Sequence, residues 1–120
     1  NKGYGYARGK NPTREALQKN IAALEDGKHC VCFSSGMAAT DAVIRMLKPG
    51  DEVITGDDLY GGSYRMFTKI YENYGIKFHF INLTDANNIS KYINANTKLY
   101  IIYNNKIKNV TKYARMRDSQ

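Results

Sequence analysis

In 120 residues, of which 42% are hydrophobic and 24% charged, there is apolar material for one compact domain and too little Gly, Pro or Cys for a collagen-like, disordered or disulfide-stapled chain. No apolar run nears the roughly 18 residues of a membrane span, and the opening NKGYGYARGK has no signal-peptide core, so no membrane contact and a cytoplasmic location are expected. The net charge of +7 gathers late: residues 1–103 hold 13 Lys or Arg against 10 acids, residues 104–120 hold 5 against 1, and a short basic tail of this kind is expected to be solvated rather than to bind nucleic acid.

In chain order, Asn11 and Pro12 read as the N-cap and first position of a helix. Leu17, Ile21 and Leu24 follow at helical spacing, and Gly27 supplies the stop. HCVCFS (29–34) reads as a short buried strand on which Cys30 and Cys32 face the same way as reduced thiols. A disulfide between such near neighbours would be strained, and His29 with distant His79 closes no ligand set, so no metal site is expected. SGMAATDAVIRMLKPG (35–50) then reads as a helix ended by Pro49 and Gly50.

The alternation continues with DEVIT as strand, GDDLYGG as turn, SYRMFTKIYENYG as helix and IKFHFINL as strand. A weaker helix over DANNISKYIN and a strand over KLYIIY complete it. Strands alternating with helices predict an α/β fold with a mostly parallel sheet and crossover helices. After Tyr103 the sequence NNKIKNVTKYARMRDSQ has no sustained apolar period. It is expected to be a structureless basic tail, leaving a sheet edge open.

Several motifs are excluded by their setting. GYGYARG follows no strand and has Arg8 where a third glycine of a dinucleotide loop belongs. FSSGM lacks the first glycine of a nucleophile elbow, and Asp57 and Asp58, as neighbours, suit turn hydrogen bonds better than paired acid–base work. Ser34, Ser35, Gly36 and Met37 mark a strand-to-helix junction, where unpaired N–H groups and the helix dipole favour an anion such as phosphate; taken alone, the junction reads equally as an ordinary N-cap. Tyr60 lies in a Gly-containing turn, where it would pack on neighbours or stack on a flat ring. Arg8, beside Tyr6, suits bidentate contact with a phosphate.

YARGKNPTREALQKNIAALE, FSSGMAA and PGDEVITGDDLYGGSYRMF, in this order, resemble the N-terminal part of the pyridoxal-phosphate enzymes of cysteine and methionine metabolism, the transsulfuration enzymes of cystathionine γ-lyase and γ-synthase type. The resemblance covers about residues 3–103. It implies an aspartate aminotransferase-like (fold type I) enzyme, with residues 1–103 as the first portion of the large cofactor domain and 104–120 as a non-matching basic tail. The implied cofactor is pyridoxal 5′-phosphate and the implied reaction is elimination or replacement at the β or γ carbon of sulfur amino acids. By matching position, Ser35, Gly36 and Met37 would hold the cofactor phosphate, and Tyr60 would stack on the ring and assist proton transfer. Arg65 would bind the amino-acid substrate, and Tyr6 and Arg8 would reach the phosphate of a neighbouring subunit in a dimer or tetramer.

The resemblance also has limits. After TKLYIIY the family continues with Thr-Pro-Thr-Asn-Pro, whereas this chain reads NNKIKNV. The family's ring-nitrogen aspartate, Schiff-base lysine and carboxylate-binding arginine have no counterparts. VTKYAR resembles the lysine's setting, but Lys112 stands about nine residues from Tyr103, without the intervening strands. The expectation is therefore a truncated or misassembled, catalytically inactive chain; the alternative is a non-catalytic fragment that binds, or joins full-length subunits through the Tyr6–Arg8 arm.

Overall fold

A computed structural model describes residues 5–6, 8–103 and 112–116. The chain divides into two compact units, Asn1–Ala39 and Thr40–Gln120.

In the first unit, helix α1 (Pro12–Leu24) begins as the sequence predicts. The Asn11 side chain accepts from the Thr13 and Arg14 N–H groups, and Pro12 occupies a position that needs no amide hydrogen. Of its apolar stripe, Leu17 and Leu24 remain exposed and Ile21 is half-buried, while Ala22 is buried. The predicted strand at 29–34 does not form. Val31 and Phe33 are exposed and the backbone there is irregular, because an extended segment becomes a strand only when a neighbour supplies its hydrogen bonds. Cys30 and Cys32 are accordingly half-exposed free thiols rather than core residues.

Helix α2 (Gly36–Ile44) spans the division between the units and is shorter than the predicted 35–50 helix. Its end tightens to i→i−3 bonds, Met46 N to Val43 O and Leu47 N to Ile44 O, ahead of Pro49, which disfavours helical geometry at Lys48.

The second unit is built on a four-stranded sheet. Strands β1 (Glu52–Gly56), β2 (Lys77–Ile81), β3 (Thr97–Tyr103) and β4 (Lys112–Met116) lie in the order β2-β1-β3-β4. β1 pairs in parallel with β2 and with β3, as the alternation predicts. All five residues of β1 are buried, the mark of a central parallel strand covered on both faces. β4 runs antiparallel to β3, Tyr103 opposite Lys112 and Leu99 opposite Met116. The structureless tail and open β3 edge expected from the sequence are thus corrected: five residues without an apolar period are ordered by pairing with an existing edge.

Between β1 and β2, helix α3 (Gly61–Met66) starts two residues before the predicted Ser63. It passes into a π-helical turn at Phe67–Tyr71 and a 3₁₀ turn at Glu72–Tyr74. Gly75 ends the run at φ +83°. There a Cβ would be strained and would stand 3.3 Å from Pro49 Cβ. Phe67, Phe78, Val53, Ile54, Leu99 and Ile101 form the centre of the core, with the Phe67 and Phe78 rings stacked at 4.5 Å. The weak helix predicted at 85–94 shrinks to a single turn, α4 (Asn87–Ser90). Its side chains divert the backbone groups: Asp85 accepts from the Asn87 N–H, and Ser90 donates to Asn87 O.

Candidate functional site

The Ser35 hydroxyl accepts from the Ala38 N–H at 3.0 Å and its carbonyl from the Ala39 N–H at 3.1 Å, so Ser35 caps α2. Gly36, the first helical residue, is exposed, and a Cβ built there meets nothing within 4 Å. Met37 is half-buried. A solvent-facing N-terminus on a nine-residue helix, headed by Ser and Gly, matches the donor chemistry of a phosphate. Ser35 thus serves as an N-cap, one of the two alternatives left open by the sequence.

The Tyr6–Arg8 arm belongs to the same unit. Arg8 Nη2 donates to the Tyr6 hydroxyl at 2.7 Å and its guanidinium lies 5.0 Å from the Tyr6 ring centroid. Arg14 of α1 donates to Gly9 O at 3.0 Å and to Arg8 O at 3.4 Å, which ties this turn to the helix. Tyr6 and Arg8 are both exposed.

In the second unit, the turn after β1 presents Tyr60. Asp57 N–H donates to Ile81 O at 2.9 Å, which anchors the turn to the end of β2. A Cβ on Gly56 would stand 3.1 Å from Leu83 Cδ1, so the leucine side chain would have to give by a few tenths of an ångström. Tyr60 precedes α3 and is 61% exposed, so it does not pack as a core aromatic. Arg65 lies at the end of α3, and its Nη1 would be 3.5 Å from a Cβ on Gly61. The guanidinium therefore folds back over the residue after Tyr60. Since β2 and β3 flank β1 on opposite sides, the carboxyl end of β1 is where strand order reverses, the usual place for a ligand in a parallel sheet.

Two polar constellations escaped the sequence reading. Tyr71 in the π-helical turn donates to Asp41 Oδ1, and Arg45 Nε donates to Asp41 Oδ2 at 2.8 Å. The Tyr71 hydroxyl, aided by Arg45, holds the Asp41 carboxyl below its ordinary range, and burial together with Asp41 pushes the Tyr71 phenol up. These residues, with Ile44, Pro49, Ile70 and Tyr74, border a cleft of about 450 Å³. On the sheet, His79 Nε2 lies 2.6 Å from Glu52 Oε1, and the pair is largely buried. An ionised carboxylate only accepts, so Nε2 carries the hydrogen. That bond, assisted by Asn94, lowers the Glu52 carboxyl despite the opposing effect of burial. The i,i+4 spacing of Asp41 and Arg45 was a visible local signal. The partners Tyr71 and His79, far along the chain, left none.

The family described as Cys/Met metabolism PLP-dependent enzyme matches residues 1–114. A putative cystathionine γ-lyase 2 of Caenorhabditis elegans is 50% identical over 99 residues, which is 82% of this chain and 25% of the relative. A probable cystathionine γ-synthase of Herpetosiphon aurantiacus is 47% identical over 97 residues, 81% of this chain and 30% of the relative. Among solved structures, cystathionine γ-lyase from Lactobacillus plantarum, complexed with L-serine, superposes with a TM-score of 0.77 at 34% identity, covering 85% of this chain and 26% of that one. The metB structure from Corynebacterium glutamicum gives 0.76 at 43% identity, covering 82% and 26%. The chain thus spans about a quarter of the length of the relatives it matches.

Proposed function

The chain belongs to the Cys/Met metabolism PLP-dependent enzyme family, and from that premise we propose that it carries the phosphate-holding and ring-stacking portion of a pyridoxal 5′-phosphate site. The whole protein would catalyse elimination or replacement at the β or γ carbon of sulfur amino acids. When bound, the cofactor supplies an electron sink for negative charge developing on the amino-acid substrate. What remains is the work of side chains. The α2 N-terminus, with Ser35, Gly36 and Met37, would bind the phosphate by N–H donation. Tyr60 would lie against the ring face and hold a proton at its hydroxyl, and Arg65 would orient the substrate carboxylate by paired donation. Tyr6 and Arg8 would complete the phosphate site of a second copy, which makes the working protein a dimer or tetramer. The cytoplasm, where thiols stay reduced, suits the free Cys30 and Cys32.

The observation that carries this reading is Tyr60, exposed in the turn at the carboxyl end of the central parallel strand. The donor set at α2 fits the phosphate end of the cofactor, because Gly36 leaves open the space a phosphate needs.

Calorimetry with pyridoxine 5′-phosphate and pyridoxine tests the cup without interference from aldehyde condensation on surface lysines. The phosphorylated compound is expected to bind at least about tenfold more tightly, the equivalent of one charge-assisted hydrogen bond. Gly36→Val should abolish the difference with helix content unchanged, since its side chain enters open space. Equal affinities for the two compounds would refute the cup.

As for turnover, we propose that these 120 residues alone are inactive, because no lysine matches the family's Schiff-base position. Borohydride reduction after incubation with pyridoxal 5′-phosphate should give no stoichiometric labelling at one site. Labelling of Lys112 together with cystathionine turnover would overturn the proposal. The exposed Tyr6–Arg8 arm favours a second reading, a non-catalytic chain that joins longer subunits. Mixed oligomers with an intact relative, lost on Arg8→Ala, would support it; no mixed species and unchanged activity would exclude it.

A further inference from the structure

The cleft of about 450 Å³ has no part in the cofactor reading. Pro49 and Ile76, which border it, lie just ahead of β1 and β2, and Gly50 N–H donates to Gly75 O at 2.8 Å between them. The cleft therefore sits where both strands begin, whereas Tyr60 follows the carboxyl end of β1. Ile44, Leu47 and Ile76 give it a buried apolar floor. Ile70 and Tyr74 border it as exposed side chains, and the Tyr74 ring is tilted against that of Tyr71 at 6.4 Å between centroids. Tyr71 closes the π-helical turn Phe67–Tyr71, an irregularity that frequently marks functional sites.

Polar groups enter through Asp41, Arg45 and Tyr71. The Asp41 carboxylate accepts from the Tyr71 hydroxyl at Oδ1 and from Arg45 Nε at Oδ2, so both oxygens are engaged. The second contact takes one of the five N–H donors of a guanidinium whose side chain is 72% exposed. The Nη pair is left for an acceptor from outside, held in a plane that the bond to Asp41 fixes.

We propose that this cleft binds a small carboxylic acid with an aromatic body, its carboxylate on the Arg45 Nη pair and its ring over the Ile44, Leu47 and Ile76 floor. A volume of this size holds a small molecule, and apolar walls with a few convergent polar groups are the usual make-up of such a site. Aromatic rings pair edge-to-face or offset, which favours a flat ring beside Tyr71 and Tyr74 over a branched chain. Charge selects the head group. A cation would meet the guanidinium with both Asp41 oxygens already taken, whereas a carboxylate finds a fork of matching geometry. Water screens the exposed guanidinium, so the ring supplies most of the affinity and the carboxylate the selectivity.

The chain contains no Trp, so an indole ligand supplies its own fluorescence. Anisotropy of indole-3-propionate titrated with the 120-residue chain should show one saturable site at neutral pH. Indole-3-propanol, the same ring without the charge, should bind at least about fivefold more weakly. Arg45→Gln should remove that difference while leaving the alcohol's affinity unchanged. Ile70→Asp, at an exposed position where folding tolerates it, should weaken both ligands at least about tenfold by setting a charge against the ring. No saturable binding, equal affinities for acid and alcohol, or a difference that survives in Arg45→Gln would overturn the site. So would competition by pyridoxine 5′-phosphate, which would put the probe at the α2 N-terminus. An affinity that falls as chain concentration rises would overturn it too, because a second copy would then be covering the cleft.

Discussion

Tyr71 is buried, and its hydroxyl has Asp41 as partner, a carboxylate on a different helix that is also held by Arg45. The exposed Arg45 contributes little by itself, because water screens it. The phenol is the stronger tie: Tyr71→Phe should cost about 1–2 kcal/mol, since it leaves a partly buried carboxylate short of a donor. Urea denaturation checks this, with Arg45→Ala as a control expected to cost less. Glu52 and His79 make the corresponding contact on the sheet. The Glu52 carboxyl is lowered in the folded chain, so the folded state binds fewer protons than the unfolded state at acid pH. The stability this provides is complete above the ordinary glutamate value of about 4.3 and is lost as pH falls through the lowered value. His79→Ala should therefore destabilise the chain near neutrality and flatten the acid limb of a stability–pH profile; an unchanged profile would show that the pair contributes nothing. The helix start at Ser35–Met37 and the turn that bears Tyr60 were legible because each needs only a few adjacent residues. Tyr71 with Asp41, and His79 with Glu52, were not, because the fold alone makes them neighbours.

Among the elements, the strands at 52–56, 77–81 and 97–103 and the helical run at 61–74 were legible from periodicity, whereas the helix read at 85–94 is a single turn. Each of the legible apolar runs is matched by a partner: β1 by β2 and β3, and the helical run by Phe78 through Phe67. The segment 29–34 has the composition of a strand but no ladder partner, and composition alone cannot supply hydrogen bonds. β4 is the reverse case, a segment of weak pattern ordered by the free edge of β3. Helix limits were legible where a side chain sets them. Asn11 does so at the start of α1, accepting from two orphan N–H groups at 2.9 and 3.1 Å. Asn11→Ala should cost about 1 kcal/mol and fray the first turn, seen as lower helix content by circular dichroism and faster amide exchange at Thr13 and Arg14. Asn11→Asp should retain most of the cap.

At the scale of the molecule, β4 covers what would otherwise be the bare edge of a sheet whose other three strands are parallel. A chain ending at Tyr103 would expose the N–H and C=O groups of β3 that now face β4, a template for pairing with other copies. Such a chain should aggregate at concentrations where the 120-residue chain stays dispersed, and light scattering on the two side by side decides the matter. Strand order has a temporal consequence as well. The strand buried along its whole length, Glu52–Gly56, is also the earliest of the four in sequence, and its two neighbours begin only at Lys77 and Thr97. During synthesis the centre of this sheet therefore leaves the ribosome before anything that can flank it, and the nascent chain must shelter its most water-averse strand until both edges have been made.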